Sequence, residues 1–136
     1  MSFLLDTNVV SELGRKNPDR RVAAWANSVG TAALHLSVLT LGEIAKGAAS
    51  LERRDTMRGV ALSRWLEGLR HQYADRIIAV DDQIAEAWGR LASRRSIPVI
   101  DALLAATALV RSMTLVTRNI RDVADVGVEV LNPWNV

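Results

Sequence analysis

The chain opens on a short apolar run, Phe3-Leu4-Leu5, that stops at Asp6. An apolar run this short, ended by an acid, predicts a buried strand. Thr7 to Leu13 continues with helical spacing, and Gly14 supplies a stop. Asn17-Pro18-Asp19 reads as a turn and a helix start, with Val22, Ala23, Trp25 and Ala26 as the apolar stripe behind it. Leu34-His35-Leu36-Ser37-Val38 alternates and predicts a second strand. Thr40 and Glu43 have capping-box spacing at the head of a helix that turns Leu41, Ile44, Ala45 and Ala48 inward. A longer helical pattern runs from Arg54 to Tyr73, with Val60, Leu62, Trp65, Leu66 and Leu69 on its apolar face.

Ile77-Ile78-Ala79-Val80 predicts a third strand, and Asp81 or Asp82 caps a helix through Ile84, Ala85, Trp88 and Leu91. Pro98 imposes an extended segment. Asp101 then opens a helix, Ala102 to Val110, so apolar that it must be nearly buried. Thr114-Leu115-Val116-Thr117 is a fourth strand, Arg118 to Asp125 a short helical turn, and Val128-Glu129-Val130-Leu131 a fifth strand. Strands alternating with helices predict an α/β class fold: a central, mostly parallel five-stranded sheet covered on both faces. The helical section from Thr40 to Tyr73 is expected to form a pair that can stand out as a lobe.

Composition narrows this picture. At 136 residues, 49% of them hydrophobic, the chain can build a core without staples and is expected to form a single domain over 1–136. It has no cysteine, which removes disulfides and thiolate chemistry. Met1 to Leu5 lacks the basic head and long apolar run of a secretory signal, and no stretch is long enough to span a bilayer, so the expectation is a cytoplasmic protein with no membrane partner. Seventeen basic residues against 15 acids give a formal charge of +2, which permits a polyanionic partner without arguing for one. Only Lys16 and Lys46 are lysines, and arginine forks suit phosphate. Arg53, Arg54, Arg58, Arg64 and Arg70 concentrate in one stretch and are candidates for a basic rim, although a solvated helix face explains them as well.

The candidate chemistry lies in the acids. Ligands of open parallel sheets sit outside the carboxyl ends of the strands. Asp6 follows the first strand, Ser37 ends the second, and Thr117 ends the fourth, with Asn119 and Asp122 just beyond. Glu43 and Asp101 lie near helix starts on the same edge. Each acid has a structural explanation: Asp6 and Asp101 can cap helices, and Glu43 can close a capping box. Yet Asp6 and Asp101 sit beside surface that must be buried, with no lysine or arginine near them in sequence. Buried carboxylates are costly unless paired or bound to a cation. Oxygen donors favour magnesium or manganese. His35 and His71 are scattered, which argues against a zinc hydrolase, and the eight glycines form no phosphate-binding loop.

These residues also carry a resemblance. The segments Phe3-Leu4-Leu5-Asp6-Thr7-Asn8-Val9-Val10-Ser11-Glu12, Ser37 to Ile44, Ile97 to Ala108 and Leu115 to Asp122 resemble, in order and spacing, the four acidic motifs of PIN-domain nucleases. Among these the chain is most similar to the VapC-type toxins of bacterial toxin–antitoxin pairs, including the FitB-like branch. The resemblance implies a three-layer α/β/α PIN-like fold and a Mg²⁺- or Mn²⁺-dependent endoribonuclease. It also implies a homodimer and inhibition by a small cognate antitoxin. Carried over by position, Asp6, Glu43, Asp101 and Asp122 are the catalytic acids, with Asp6 and Asp101 as metal ligands. Thr7, Ser37, Thr117 and Asn119 are supporting polar groups around them. Asn119 stands where some relatives have an acid, and Val123 where an aromatic is common, so the fourth position departs from the usual pattern.

Three other readings compete. The first is a PIN-like nuclease acting on DNA or structured RNA in another pathway. The second is an idle binding module, which would be expected to lack one of the core acids. The third is a receiver-type phosphoacceptor, for which Asp81-Asp82 follows the wrong strand and no suitable lysine comes late in the chain.

Overall fold

The computed structural model describes residues 1–136. Its frame is a five-stranded sheet in the order β3-β2-β1-β4-β5, built from β1 (Phe3–Leu5), β2 (Leu34–Ser37), β3 (Ile77–Ile78), β4 (Thr114–Val116) and β5 (Val130–Leu131). All four pairings are parallel. The helices are α1 (Thr7–Leu13), α2 (Arg20–Val29), α3 (Val38–Glu52), α4 (Thr56–Gln72), α5 (Asp82–Arg94), α6 (Val99–Arg111) and α7 (Ile120–Val123). No helix is long and apolar enough to cross a membrane.

Side chains alternate across a strand, and here they divide the interior in two. Phe3 and Leu5 of β1 join α1, α2 and Trp134 on one face, where Phe3 meets Trp25 edge to face at 5.2 Å. Leu4 points the other way, into a core made by Ile84, Ala87 and Leu91 of α5 and Leu104, Ala105, Ala106 and Ala108 of α6. The result is three layers, with a short sheet buried on both sides.

The chain runs from β1 outward to β2 and β3, then returns to β4 on the far side of β1. Strand order therefore reverses between β1 and β4. Such a switch point leaves a crevice at the carboxyl ends of the two strands. Leu5 pairs with Val116, so the next residues, Asp6 and Thr117, emerge side by side into that crevice.

Several expectations require correction. Thr40 does not cap α3. β2 ends at Ser37, whose hydroxyl accepts from the Leu39 amide at 3.0 Å, and the helix starts at Val38. Thr40 is fully buried inside the first turns. Asp101 does not open α6 either; the helix begins at Val99 after Pro98, so Asp101 is its third residue and makes no cap. Ala45 and Ala85 are exposed, and Ala87 takes the inward place on α5, because the buried stripes repeat as Ile44–Ala48 and Ile84–Ala87–Leu91. β3 and β5 are only two residues each, as edge strands with few pairing partners. Asp19 and Asp81 do cap α2 and α5.

Gly14 follows α1, but in an ordinary right-handed conformation. Its requirement is space: a Cβ there would lie 2.4 Å from the Trp65 ring. α3 and α4 form the expected helical pair, joined by residues 53–55, and Gly59 lets them close. A Cβ at Gly59 would lie 2.5 Å from the Cα of Glu52, whereas one at Gly68 would meet nothing within 4 Å.

These two glycines of α4 should respond in opposite directions to the same substitution. Gly68→Ala gains helix propensity and should raise stability by about 0.5–1 kcal/mol. Gly59→Ala gains the same propensity but forces two backbones apart, so it should lower stability by about 1–2 kcal/mol net. Urea unfolding of both variants against the parent checks the pair.

Candidate active site

Asp6 is the most constrained acid. It is 7% exposed. One carboxylate oxygen accepts the Thr7 amide at 2.7 Å, capping α1. The other accepts the Thr117 hydroxyl at 2.7 Å and the Asn8 side-chain amide at 3.3 Å. Its own backbone N–H donates to the Val116 carbonyl at 2.9 Å, which extends the β1–β4 ladder by one step. Asp6 is thus both cap and site residue, and the two readings of it do not compete. The carboxylate is fixed by strand register and by α1 together.

Glu43 reaches the same edge from α3. Thr7 donates its hydroxyl to Glu43 Oε1 and lies 3.3 Å from the Thr40 hydroxyl. Thr40 and Glu43 are three apart and share a helix face. Starting the helix at Ser37 is what turns that face toward Thr7. Ser37 itself is spent on capping α3. Asp101 extends from the first turn of α6 and lines a recess of about 10 Å³ with Asp6, Thr117 and Asn119, closed behind by Leu104 and Val123. That is room for roughly one water or one ion. Asp122 lies half-buried on α7, next to the depression that adjoins this recess.

The charges are coupled. Burial pushes the Asp6 carboxyl above its usual range and Glu43 adds to this, while the bonds from Thr117, Thr7 and Asn8 pull it back. Burial also raises Asp101, with the like charges of Asp6, Asp122 and Glu43 acting in the same direction. All four sequence-selected acids therefore share one electrostatic neighbourhood. None of them takes part in an ion pair; the six ion pairs of the molecule are elsewhere. The acids converge without closing, since no three His, Asp or Glu side chains are gathered tightly enough to chelate an ion jointly. A donor set made of carboxylate, hydroxyl and amide oxygen, with no competing cation, is suited to a hard divalent metal.

Three contributors escaped the sequence reading. Asn8 bonds Asp6 and also accepts the Arg118 amide at 3.4 Å, tying α1 to the end of β4. Its position two residues after the acid was the available signal. The signal for Thr40 was its spacing three residues before Glu43; Asn132, which lines the depression beside the recess, gave none. Arg53, Arg54, Arg58, Arg64 and Arg70 do not line the recess or the depression beside it; Arg118 and Arg121 do line that depression. Arg58 instead borders a surface groove of about 440 Å³ between the end of α1 and the α3–α4 pair. That groove contains none of the four acids.

Comparison with known proteins gives a consistent picture. The PIN domain family profile matches residues 3–128. The chain is 33% identical to "Toxin FitB" of Neisseria gonorrhoeae over 138 residues, covering 98% of this chain and 99% of that one. It is 31% identical to "VapC ribonuclease Y4jK" of Sinorhizobium fredii over 140 residues, covering 97% of each. The crystal structure of FitAcB from Neisseria gonorrhoeae superposes with a TM-score of 0.88 at 33% identity, over 98% of this chain and 99% of that one.

The raised carboxyl at Asp101 has a consequence for stability. Its folded-state pKa lies above the ordinary aspartate value of 3.8, so the folded state binds the proton more tightly than the unfolded chain. Ionised Asp101 then opposes folding above its raised pKa, and the opposition disappears as pH falls toward 3.8. Asp101 accepts no hydrogen bond that substitution would lose. Asp101→Asn should therefore raise Tm in metal-free buffer at pH 7, by an increment that solvent screening of this part-exposed carboxylate keeps small. The gain should shrink as pH is lowered from 7 to 4. A Tm series across that range is the measurement, and a gain independent of pH would contradict a raised carboxyl at Asp101, whose first cause is burial and second the neighbouring acids.

Proposed function

The chain belongs to the PIN-domain family, and on that premise we propose that it is a divalent-metal-dependent endoribonuclease, the toxin member of a VapC-type toxin–antitoxin pair. The observation that carries this reading is the meeting of Asp6, Glu43, Asp101 and Asp122 at the β1/β4 switch point with no basic partner. Beyond the capping of α1 by Asp6, gathering four like charges costs stability. It is useful only when a cation and a phosphodiester occupy it. The names of the relatives, a toxin and a ribonuclease, agree with it.

Asp6 and Asp101 line the recess and are the residues placed to hold the metal, Mg²⁺ or Mn²⁺. When bound, the metal supplies charge neutralisation for the phosphate and acidifies water. The protein's own groups do the rest. Thr117, Thr7 and Asn8 fix the Asp6 carboxylate in one orientation. Thr7 holds one Glu43 oxygen and leaves the other free to take a proton from the attacking water. The water oxygen forms the new bond to phosphorus, the bridging P–O bond breaks, and the leaving oxygen is protonated from solvent. Leu104 and Val123 keep the back of the recess dry, which strengthens each of these interactions. Asp122 adds negative charge at the mouth, and Asn119 offers a neutral donor there. A small cognate antitoxin, a homodimeric assembly and a cytoplasmic setting belong to the same reading.

Asp6→Asn keeps the shape of the side chain and most of its bonds. It should lower RNA cleavage in Mg²⁺ by at least about 10²-fold and abolish growth inhibition, with an unchanged far-ultraviolet dichroism spectrum. Chelation with EDTA should stop the parent enzyme, and added Mg²⁺ or Mn²⁺ should restore it. Cleavage of DNA at the same rate as RNA would replace the substrate in this reading, and equal toxicity of parent and variant at matched expression would end it.

A further inference from the structure

Next to the acidic recess lies a second depression of about 380 Å³, lined by Arg118, Asn119, Ile120, Arg121, Asp122 and Asn132. Asn119 belongs to both hollows. Their adjacency follows from the sheet. β4 and β5 are parallel neighbours, and the Thr117 amide donates to the Leu131 carbonyl at 3.0 Å. The residues after each strand, Arg118 and Asn132, therefore emerge together, one strand further from the centre than Asp6.

The first hollow holds only acids as charged groups, whereas the second carries two arginines against the single acid Asp122. Arg118 and Arg121 are exposed, and neither forms an ion pair, although Asp122 is their near neighbour in sequence. Arg118 is not a free surface arm. Its guanidinium lies 4.6 Å over the ring of Trp134, which is itself buried. Stacking uses the flat face of a guanidinium and leaves its N–H edge pointing outward. Asn132 accepts the Trp134 amide at 2.9 Å through Oδ1, so its side-chain NH₂ is left to donate. Two guanidinium edges and one amide donor around a hollow form a site for a phosphate group. A polyanion approaching four carboxylates is repelled unless cations beside them hold it.

We propose that this depression seats a backbone phosphate of the RNA strand next to the scissile one, bound by Arg118 and Arg121 and oriented by Asn132, so that the strand leaves the cleavage site across the ends of β4 and β5. The proposal rests on the ribonuclease reading and adds the direction in which the substrate lies. Trp134 is a positioning residue here, since it acts through Arg118.

The test is binding of a fluorescently labelled single-stranded RNA to the full chain in EDTA, where cleavage is stopped, across 50–200 mM KCl. Each lost phosphate contact on a single strand reduces the slope of log K against log salt by about 0.7. Arg121→Gln should give that reduction alone, and Arg118→Gln with Arg121→Gln about twice it, with affinity at 100 mM salt falling about tenfold. Under turnover conditions with Mg²⁺ the same variants should raise KM with little change in kcat. Arg53→Gln with Arg54→Gln, on the distant α3–α4 connection, should leave the slope unchanged. Should Arg118→Gln unfold the C-terminal turn, Arg121→Gln carries the test by itself. Parent-like slopes in both arginine variants, while the parent binds and cleaves RNA, would overturn the subsite and leave the ribonuclease reading standing. Failure of the parent to bind RNA in EDTA would overturn the subsite, and failure to cleave RNA in Mg²⁺ as well would overturn both.

Discussion

The structure is organised around negative charge that nothing in the chain neutralises. Asp6 is buried where β1 and β4 part, Glu43 and Asp101 crowd it with like charge, Asp122 adds to that at Asp101, and no arginine or lysine pairs with any of the four. A buried ionised carboxylate is tolerable only if its lone pairs are satisfied. Here the Thr7 amide, the Thr117 hydroxyl and the Asn8 amide satisfy them. Hydrogen bonds to a charged acceptor contribute about 1.5–3 kcal/mol each, enough together to hold the carboxylate in place against its neighbours. These donors come from the strand end, the helix start and the adjacent strand. The acid is therefore positioned by the parts of the fold that deform least.

The helices outside the sheet serve this arrangement in different ways. α6 buries Ala102 and the run Leu104 to Ala108 in the core, and its first turn carries Asp101. α3 starts at Ser37, which turns Thr40 inward and sets Glu43 against Thr7. The α3–α4 pair closes tightly because Gly59 leaves room for Glu52 of α3, the helix that carries Glu43, while Gly14 lets Trp65 of α4 pack against the end of α1. On the opposite side of the crevice, the C-terminal turn places buried Trp134 under Arg118, so positive charge begins where the acidic recess ends. Acid and base are separated by one strand spacing, an arrangement that can hold a cation and a polyanion at once.

Much of this was legible in the chain. The apolar runs, the helical stripes and the capping aspartates Asp19 and Asp81 act over a few residues, and each element they predict is present. The alternation of strands and helices implied a covered parallel sheet, and the sheet's carboxyl edge then gathered Asp6, Glu43, Asp101 and Asp122. The errors have a common source. Thr40 has capping-box spacing with Glu43, but strand pairing extends β2 to Ser37 and hands the cap to that residue. Asp101 looks like a cap, but packing of α5 on α6 favours a helix begun two residues earlier. In both cases a local preference of about 1 kcal/mol yielded to burial and pairing summed over a whole element.

The sequence alone thus determined the elements, the fold class and which four acids gather at one edge of the sheet, because strand, helix and motif signals are short-range and each acid lies near a strand end or helix start. Tertiary structure decided how those acids are held and what stands beside them. The register of β1 on β4 sets Thr117 against Asp6, and a helix begun at Ser37 sets Thr7 against Glu43. The pairing of β4 with β5 brings Arg118, Arg121 and Asn132 to the rim, where the arginine-rich stretch of α4 had seemed the better candidate. Contacts between residues separated by 14, 36 or 111 positions depend on which strands are neighbours and in what register, and local pattern carries no record of that.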